Sequence, residues 1–139
     1  DLLDTLKRAG LTIVVSTPYM DEAARCDRIA LMQGGTILAI DAPARIGDRF
    51  PRPLFAVRAR ERAELLAALR AYPHTASALP FGETVHFSDR RANATAAEIV
   101  DELRRHLAER GLHAVGIEAI TPGIEDTFIE LMGAPAVAA

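Results

Sequence analysis

Three prolines and one glycine fall between Asp41 and Pro53, in the run DAPARIGDRFPRP. Proline lacks the N–H that helix and sheet ladders need, and it restricts the residue before it. The run therefore reads as a semi-rigid linker, and we place a boundary over residues 43–53. It divides the 139-residue chain into a segment of residues 1–42, a second unit of residues 54–132 and a tail at 133–139. That length suffices for one ordinary domain or two small ones with a real core.

Beyond the linker, Leu54 to Ala59 reads as a strand. Glu61 to Tyr72 follows with Leu65, Leu66, Leu69 and Tyr72 at helical spacing, stopped by Pro73. Ala76 to Phe81 and Thr84 to Ser88 are strands joined by Gly82-Glu83, with Val85 and Phe87 on one face and His86 on the other. Thr95 and Glu98 spell a capping box for a helix whose stripe is Ile99, Val100, Leu103 and Leu107, ending at Gly111. His113 to Ile120 is the last strand. Thr121 and Pro122 suit an N-cap and first turn for a helix from about Gly123 to Met132 that buries Ile124, Phe128 and Leu131. The order is β-α-β-β-α-β and a final helix, so the expected class is α/β with a ferredoxin-like split βαβ arrangement.

The first segment opens with a helix over Asp1 to Ala9 that stops at Gly10. Ile13-Val14-Val15 is a β-branched run of the kind buried on both faces of a sheet, ended by Pro18. Tyr19 to Cys26 has helical composition, with Asp21 and Glu22 in the first turn. Arg28 to Met32 and Thr36 to Ile40 are apolar runs around Gln33-Gly34-Gly35, which reads as a hairpin turn. Cut from a larger sheet, the Ile13–Val15 strand would need cover, so domain swapping or a homodimer through residues 1–42 is anticipated.

These elements closely resemble the end of the ATPase domain of an ABC transporter of the daunorubicin/multidrug-export type. That family carries a strand, a switch loop reading Ser-Thr-His-Tyr-Met-Asp-Glu-Ala, a Cys-Asp-Arg-Ile/Leu-Ala strand and a G-x-I hairpin. Ser16, Thr17, Tyr19, Met20, Asp21, Glu22, Ala23, Cys26, Asp27, Arg28 and Ala30 match it. Thr121 to Phe128 (TPGIEDTF) is similar to the family's Thr-Pro-Ser-Leu-Glu-Asp-Val-Phe near the end of a small C-terminal domain. Residues 54–110 match in pattern only.

The resemblance implies that residues 1–42 are the C-terminal remnant of an ABC ATPase domain and that 54–132 form an accessory domain with a dimerising or regulatory role. The expected parent would use ATP and magnesium to drive export of drugs or other small molecules. Its partners would be the rest of the ATP-binding domain, a second nucleotide-binding domain and membrane-spanning permease subunits. Its place would be cytoplasmic, against the inner face of the plasma membrane. The start at Asp1, without Met, fits a fragment. The phosphate-cradling GxxxxGK[ST] loop, the signature sequence and the acidic magnesium motif do not occur in this chain, so alone it is not expected to hydrolyse ATP.

Pro18 stands where the family has its switch histidine. Proline offers no side-chain donor, so the resemblance implies either a degenerate ATP site or an incidental substitution. Ser16, Thr17 and Tyr19 line the same loop, although their hydroxyls could equally cap the following helix. Asp21 and Glu22 diverge by about 100° on a helix and read as surface acids rather than a catalytic pair. Cys26 reads as a small buried thiol. It is the one cysteine, which excludes an internal disulfide framework.

His74, His86, His106 and His113 have no metal-ligand spacing, and His106 is placed to pair with Glu102 on the helix surface. Arg45, Arg49, Arg52, Arg58, Arg60 and Arg62 gather near the linker, either as a contact for an acidic partner or lipid headgroups or as a solvated face. A net charge of −3 argues against nucleic acid as a partner. A stand-alone small-molecule-binding regulatory domain is the alternative, with Gly82, Gly111 and Gly116 allowing close backbone approach.

Overall fold

Gly34 and Gly35, at φ +55° and +78°, reverse the chain with the twist a two-residue hairpin requires, a conformation other residues adopt only at a cost. They join β1 (Ile29–Gln33) to β2 (Thr36–Asp41), antiparallel, with Gln33 paired to Thr36 and a register shift between Leu31 and Met32. Gln33 thus belongs to the strand rather than the turn. The computed structural model describes residues 2–133, and the tail placed at 133–139 lies outside them except for Gly133.

A second antiparallel sheet of four strands follows, so the α/β class read from the sequence holds. Its strands are β3 (Leu54–Arg58), β4 (Thr75–Phe81), β5 (Thr84–Asp89) and β6 (Gly116–Ile120), arranged β4-β5-β3-β6. The first strand of the unit lies inside the sheet and the last at its edge, as two crossover helices between non-neighbouring strands demand. Those helices are α4 (Arg62–Arg70) and α5 (Ala96–Ala108). They supply Leu65, Leu69, Ile99, Leu103 and Leu107 to one core with Phe55, Val57, Val85 and Phe87 from the sheet. Period-2 alternation on the strands and period-3.6 spacing on the helices therefore meet at one interface. The Thr95 capping box is present in both directions, Thr95 Oγ1 accepting from Glu98 N at 3.2 Å and Glu98 Oε2 from Thr95 N at 2.8 Å.

The proline-rich run is structured. Pro43 occupies the first turn of α3 (Pro43–Ile46), where its missing N–H costs nothing, and a 3-10 turn covers Gly47–Arg49. Ile46 has no solvent exposure and joins Ile29, Leu31, Ala39 and Ile124 in a second core. Full burial of one such side chain stabilises by about 1.5–3 kcal/mol. The opposite wall is α6 (Ile124–Gly133), with Phe128 and Leu131 packed against the cluster as their spacing predicted. Gly47 passes so close to Pro122 that an added Cβ would overlap the Pro122 carbonyl oxygen and lie 3.2 Å from the carbonyl carbon. Arg52 and Glu130, 2.5 Å apart, tie the same run to α6.

Several expected elements are shorter or absent. The opening helix is α1 (Leu2–Arg8), with no buried residue. Exposed ion pairs, Lys7–Asp27 at 2.5 Å and Arg25–Asp4 at 3.5 Å, hold it to the chain ahead of β1. Ile13-Val14-Val15 forms no strand and is not buried: Val14 is 92% exposed. An apolar run becomes a strand only against a neighbour, and residues 1–42 give it none. The helix read over Tyr19 to Cys26 is one turn, α2 (Met20–Ala23), and β6 begins at Gly116 rather than His113.

Candidate functional site

The loop from Ser16 to Tyr19 lies on the surface, with Ser16, Pro18 and Tyr19 exposed and Thr17 half-buried. Thr17 Oγ1 accepts from the Tyr19 N–H at 3.1 Å and donates to Glu22 Oε2 at 2.5 Å. The N-cap position of α2 is Tyr19, and its side chain makes no capping hydrogen bond. Thr17 therefore closes a small side-chain turn ahead of the helix instead of capping it. Asp21 and Glu22 are both exposed, and Glu22 serves the loop through Thr17. Cys26 is half-buried beside the second core, its Sγ 3.8 Å from the Glu22 carbonyl oxygen.

These residues do not fit a triphosphate or its magnesium by themselves. Thr17's hydroxyl is already engaged, Pro18 has no donor, and no group of three potential metal ligands occurs among the described residues.

Away from that loop, two polar clusters organise the second unit. On the sheet face turned from α4 and α5, His86 Nδ1 lies 2.6 Å from Asp126 Oδ1, and the imidazole stacks on Phe81 with centroids 4.1 Å apart. Asp126 Oδ2 also accepts from the Gly123 N–H at 2.9 Å. One carboxylate thus caps α6 and fastens it to β5, a part the sequence reading gave to Thr121. Thr127, fully buried, donates to the Gly123 carbonyl at 2.9 Å. The Asp and Thr of TPGIEDTF are joint residues.

At the other end of β5, Asp89 is fully buried, and Arg91 folds back on it. Arg91 Nη2 reaches Oδ2 at 2.8 Å, while Nε and the backbone N–H reach Oδ1 at 3.1 and 2.8 Å. Burial pushes the Asp89 carboxyl pKa up, but these donors outweigh it and hold the group below its ordinary value. Arg91 Nη1 extends to Glu102 at 2.9 Å, and Tyr72 donates its hydroxyl to Glu102 at 2.8 Å. Burial first, then that bond to an anion, raises the Tyr72 pKa to about 12. The same bond, followed by Arg91, lowers that of Glu102. Glu102 is therefore not the partner of His106.

His106 is buried, 9% exposed, edge-on to Tyr72, with Nε2 2.7 Å from the Ala68 carbonyl oxygen. A carbonyl only accepts, so Nε2 carries the proton and Nδ1 is left to accept from Arg110 at 3.1 Å. It bridges α5 to α4 from the interior. The sequence offered one hint: Asp89 and Arg91 stand two apart where β5 ends, a spacing at which side-chain turns close. His74 packs against Tyr72, and His113 is exposed.

With the geometry in hand, comparison with known proteins points to ATP-binding proteins of ABC transporters. No protein-family model matches the chain. The similarity is to the probable multidrug ABC transporter ATP-binding protein YbhF of Escherichia coli K12, 27% identical over 134 residues, which is 95% of this chain and 22% of that protein. The Shigella flexneri protein of the same name matches equally. The daunorubicin/doxorubicin resistance ATP-binding protein DrrA of Streptomyces peucetius is 28% identical over 145 residues, 98% of this chain and 41% of DrrA. The chain thus spans well under half the length of these relatives. At this identity they support the transporter family that the two end motifs resemble. No helix among the described residues is long and apolar enough to cross a membrane.

Proposed function

We propose that the chain is the C-terminal part of the ATP-binding subunit of an ABC-type exporter, carrying a ferredoxin-like accessory domain. The observation that carries this reading is the bare apolar run: Ile13 is 38% exposed, Val14 92% and Val15 47%. Three consecutive β-branched or apolar residues cost free energy in water at about 25 cal/mol per Å² and suit a sheet interior. An upstream ATP-binding portion supplies that sheet, and its phosphate loop holds ATP and magnesium. A second copy pairing through the same run is the homodimer reading.

In this account Ser16, Thr17, Pro18 and Tyr19 are the switch loop, and Pro18 makes the site degenerate. The subunit works with a second nucleotide-binding domain and with membrane-spanning permease subunits, on the cytoplasmic side of the membrane. Its accessory domain biases opening and closing through contacts made in only one state.

Amide exchange tests the first claim. Ile13, Val14 and Val15 exchange quickly in this chain and become protected by orders of magnitude in a longer protein that includes the upstream portion. Equal exchange in both, or tight ATP binding by this chain alone in calorimetry, overturns the assignment. Restoring the donor by Pro18→His in the longer protein raises ATP turnover about 10²–10³-fold, the usual worth of one preorganised donor. Unchanged turnover refutes the degenerate site.

A further inference from the structure

The six arginines between Arg45 and Arg62 do not act as one group. Arg45 and Arg49 both reach Asp41, at 3.6 and 3.5 Å, and Arg52 is taken by Glu130. Arg62 donates to the Gly82 carbonyl and stands 3.7 Å from Glu83. Arg58 and Arg60 remain exposed, with no acidic partner among the described residues. They flank Ala59, which enters the core, Arg58 at the end of β3 and Arg60 in the bend just beyond it.

Both line one open surface depression with Arg62, Glu83, Ala114 and Gly116. Three cations there face a single carboxylate, and Arg62 already engages it. Ala114 and Gly116 contribute almost no side chain, leaving room beside the backbone. The chain as a whole carries −3, so this positive patch is local and not a reflection of net charge. Guanidinium forks match the paired oxygens of phosphate and offer several charge-assisted hydrogen bonds at once.

We propose that this depression binds a phosphate group, carried either by a soluble phosphorylated small molecule or by a phospholipid headgroup. The proposal is independent of the transporter reading, since it uses residues of the second unit alone.

Two probes separate the sources. Inorganic pyrophosphate is titrated into the full chain by calorimetry, and phosphatidylcholine vesicles with and without phosphatidylglycerol are co-sedimented with it, all at 0.1 M salt, where screening reaches about 10 Å. Binding of pyrophosphate identifies a soluble ligand site, and binding only to phosphatidylglycerol vesicles identifies a headgroup site. In either case the Arg58→Gln/Arg60→Gln variant, which keeps most of each stem, weakens binding at least about tenfold, the worth of roughly 1.4 kcal/mol. Arg70→Gln/Arg105→Gln removes the same charge from exposed positions on α4 and α5 and changes binding less than about twofold. Failure of both probes to bind, or equal weakening by the two double variants, overturns the proposal. Far-ultraviolet circular dichroism of each variant establishes that the fold is retained.

Discussion

Gly47→Ala is expected to destabilise the protein by about 3 kcal/mol, the upper range for forcing extra atoms into a packed interior. The reason is steric alone. Gly47 has φ −58° and ψ −28°, ordinary helical values at which alanine is otherwise preferred to glycine. Its Cβ, however, would overlap the carbonyl of Pro122, a backbone atom that cannot rotate aside. Relief requires the 3-10 turn and the start of α6 to part, opening the cluster of Ile46, Ile124 and Ile29. Denaturant midpoints for Gly47→Ala and Gly116→Ala provide the measurement. The second is a fair control, because its Cβ would meet only the Arg58 Cβ at 4.0 Å. Equal midpoints for Gly47→Ala and the unaltered protein would mean that the joint yields freely.

Arg91→Ala should cost a similar amount, about 3 kcal/mol at neutral pH, because breaking a buried pair leaves one charge uncompensated. Asp89 would keep the backbone N–H of residue 91 and lose both guanidinium contacts while still fully buried. The pH dependence makes the prediction specific. In the unaltered protein Asp89 and Glu102 have lowered pKa values. Their contribution is therefore complete above the unfolded carboxylate value of about 4 and is lost as the pH falls through the lower folded values.

Without Arg91, burial is the leading influence on Asp89, and its folded pKa moves above the unfolded one. The variant is then penalised most at neutral pH, and the gap between the two proteins narrows as both states take up a proton. Urea midpoints at pH 7 and pH 4 read this directly. A gap of equal size at both values would assign the loss to packing of the Arg91 stem instead of to the Asp89 charge.

Local chemistry made much of the second unit legible. The Thr95 capping box, the Gly82 turn and the stripe of Ile99, Leu103 and Leu107 are all specified by residues within a few positions of one another. What escaped were features set by partners distant in the chain. Nothing near His106 announces that its imidazole will meet the Ala68 carbonyl, 38 positions away. Likewise Asp126 was read as part of a motif, whereas its work is done with His86 at a separation of 40.

Ile13-Val14-Val15 failed as a strand for the complementary reason. Its composition states a preference, but pairing needs an adjacent ladder, and the described residues hold none beside it. Ser16, Thr17, Pro18 and Tyr19 lie outside any helix or strand, yet a loop's chemistry depends on what faces it. Pro43 and Gly47 were read as residues of a linker, and their use as a first-turn residue and a close-approach point was not legible.

Helix α6 packs on the hairpin of β1 and β2, so the order of synthesis decides when this core can close. During synthesis, Ile29, Leu31 and Ala39 leave the ribosome long before Ile124, Phe128 and Leu131 exist to cover them. At about 5–20 residues per second, the hairpin waits several seconds with one side uncovered, a window in which chaperones or premature association can act. Completion of that cluster thus comes late relative to its hairpin, governed by the arrival of α6.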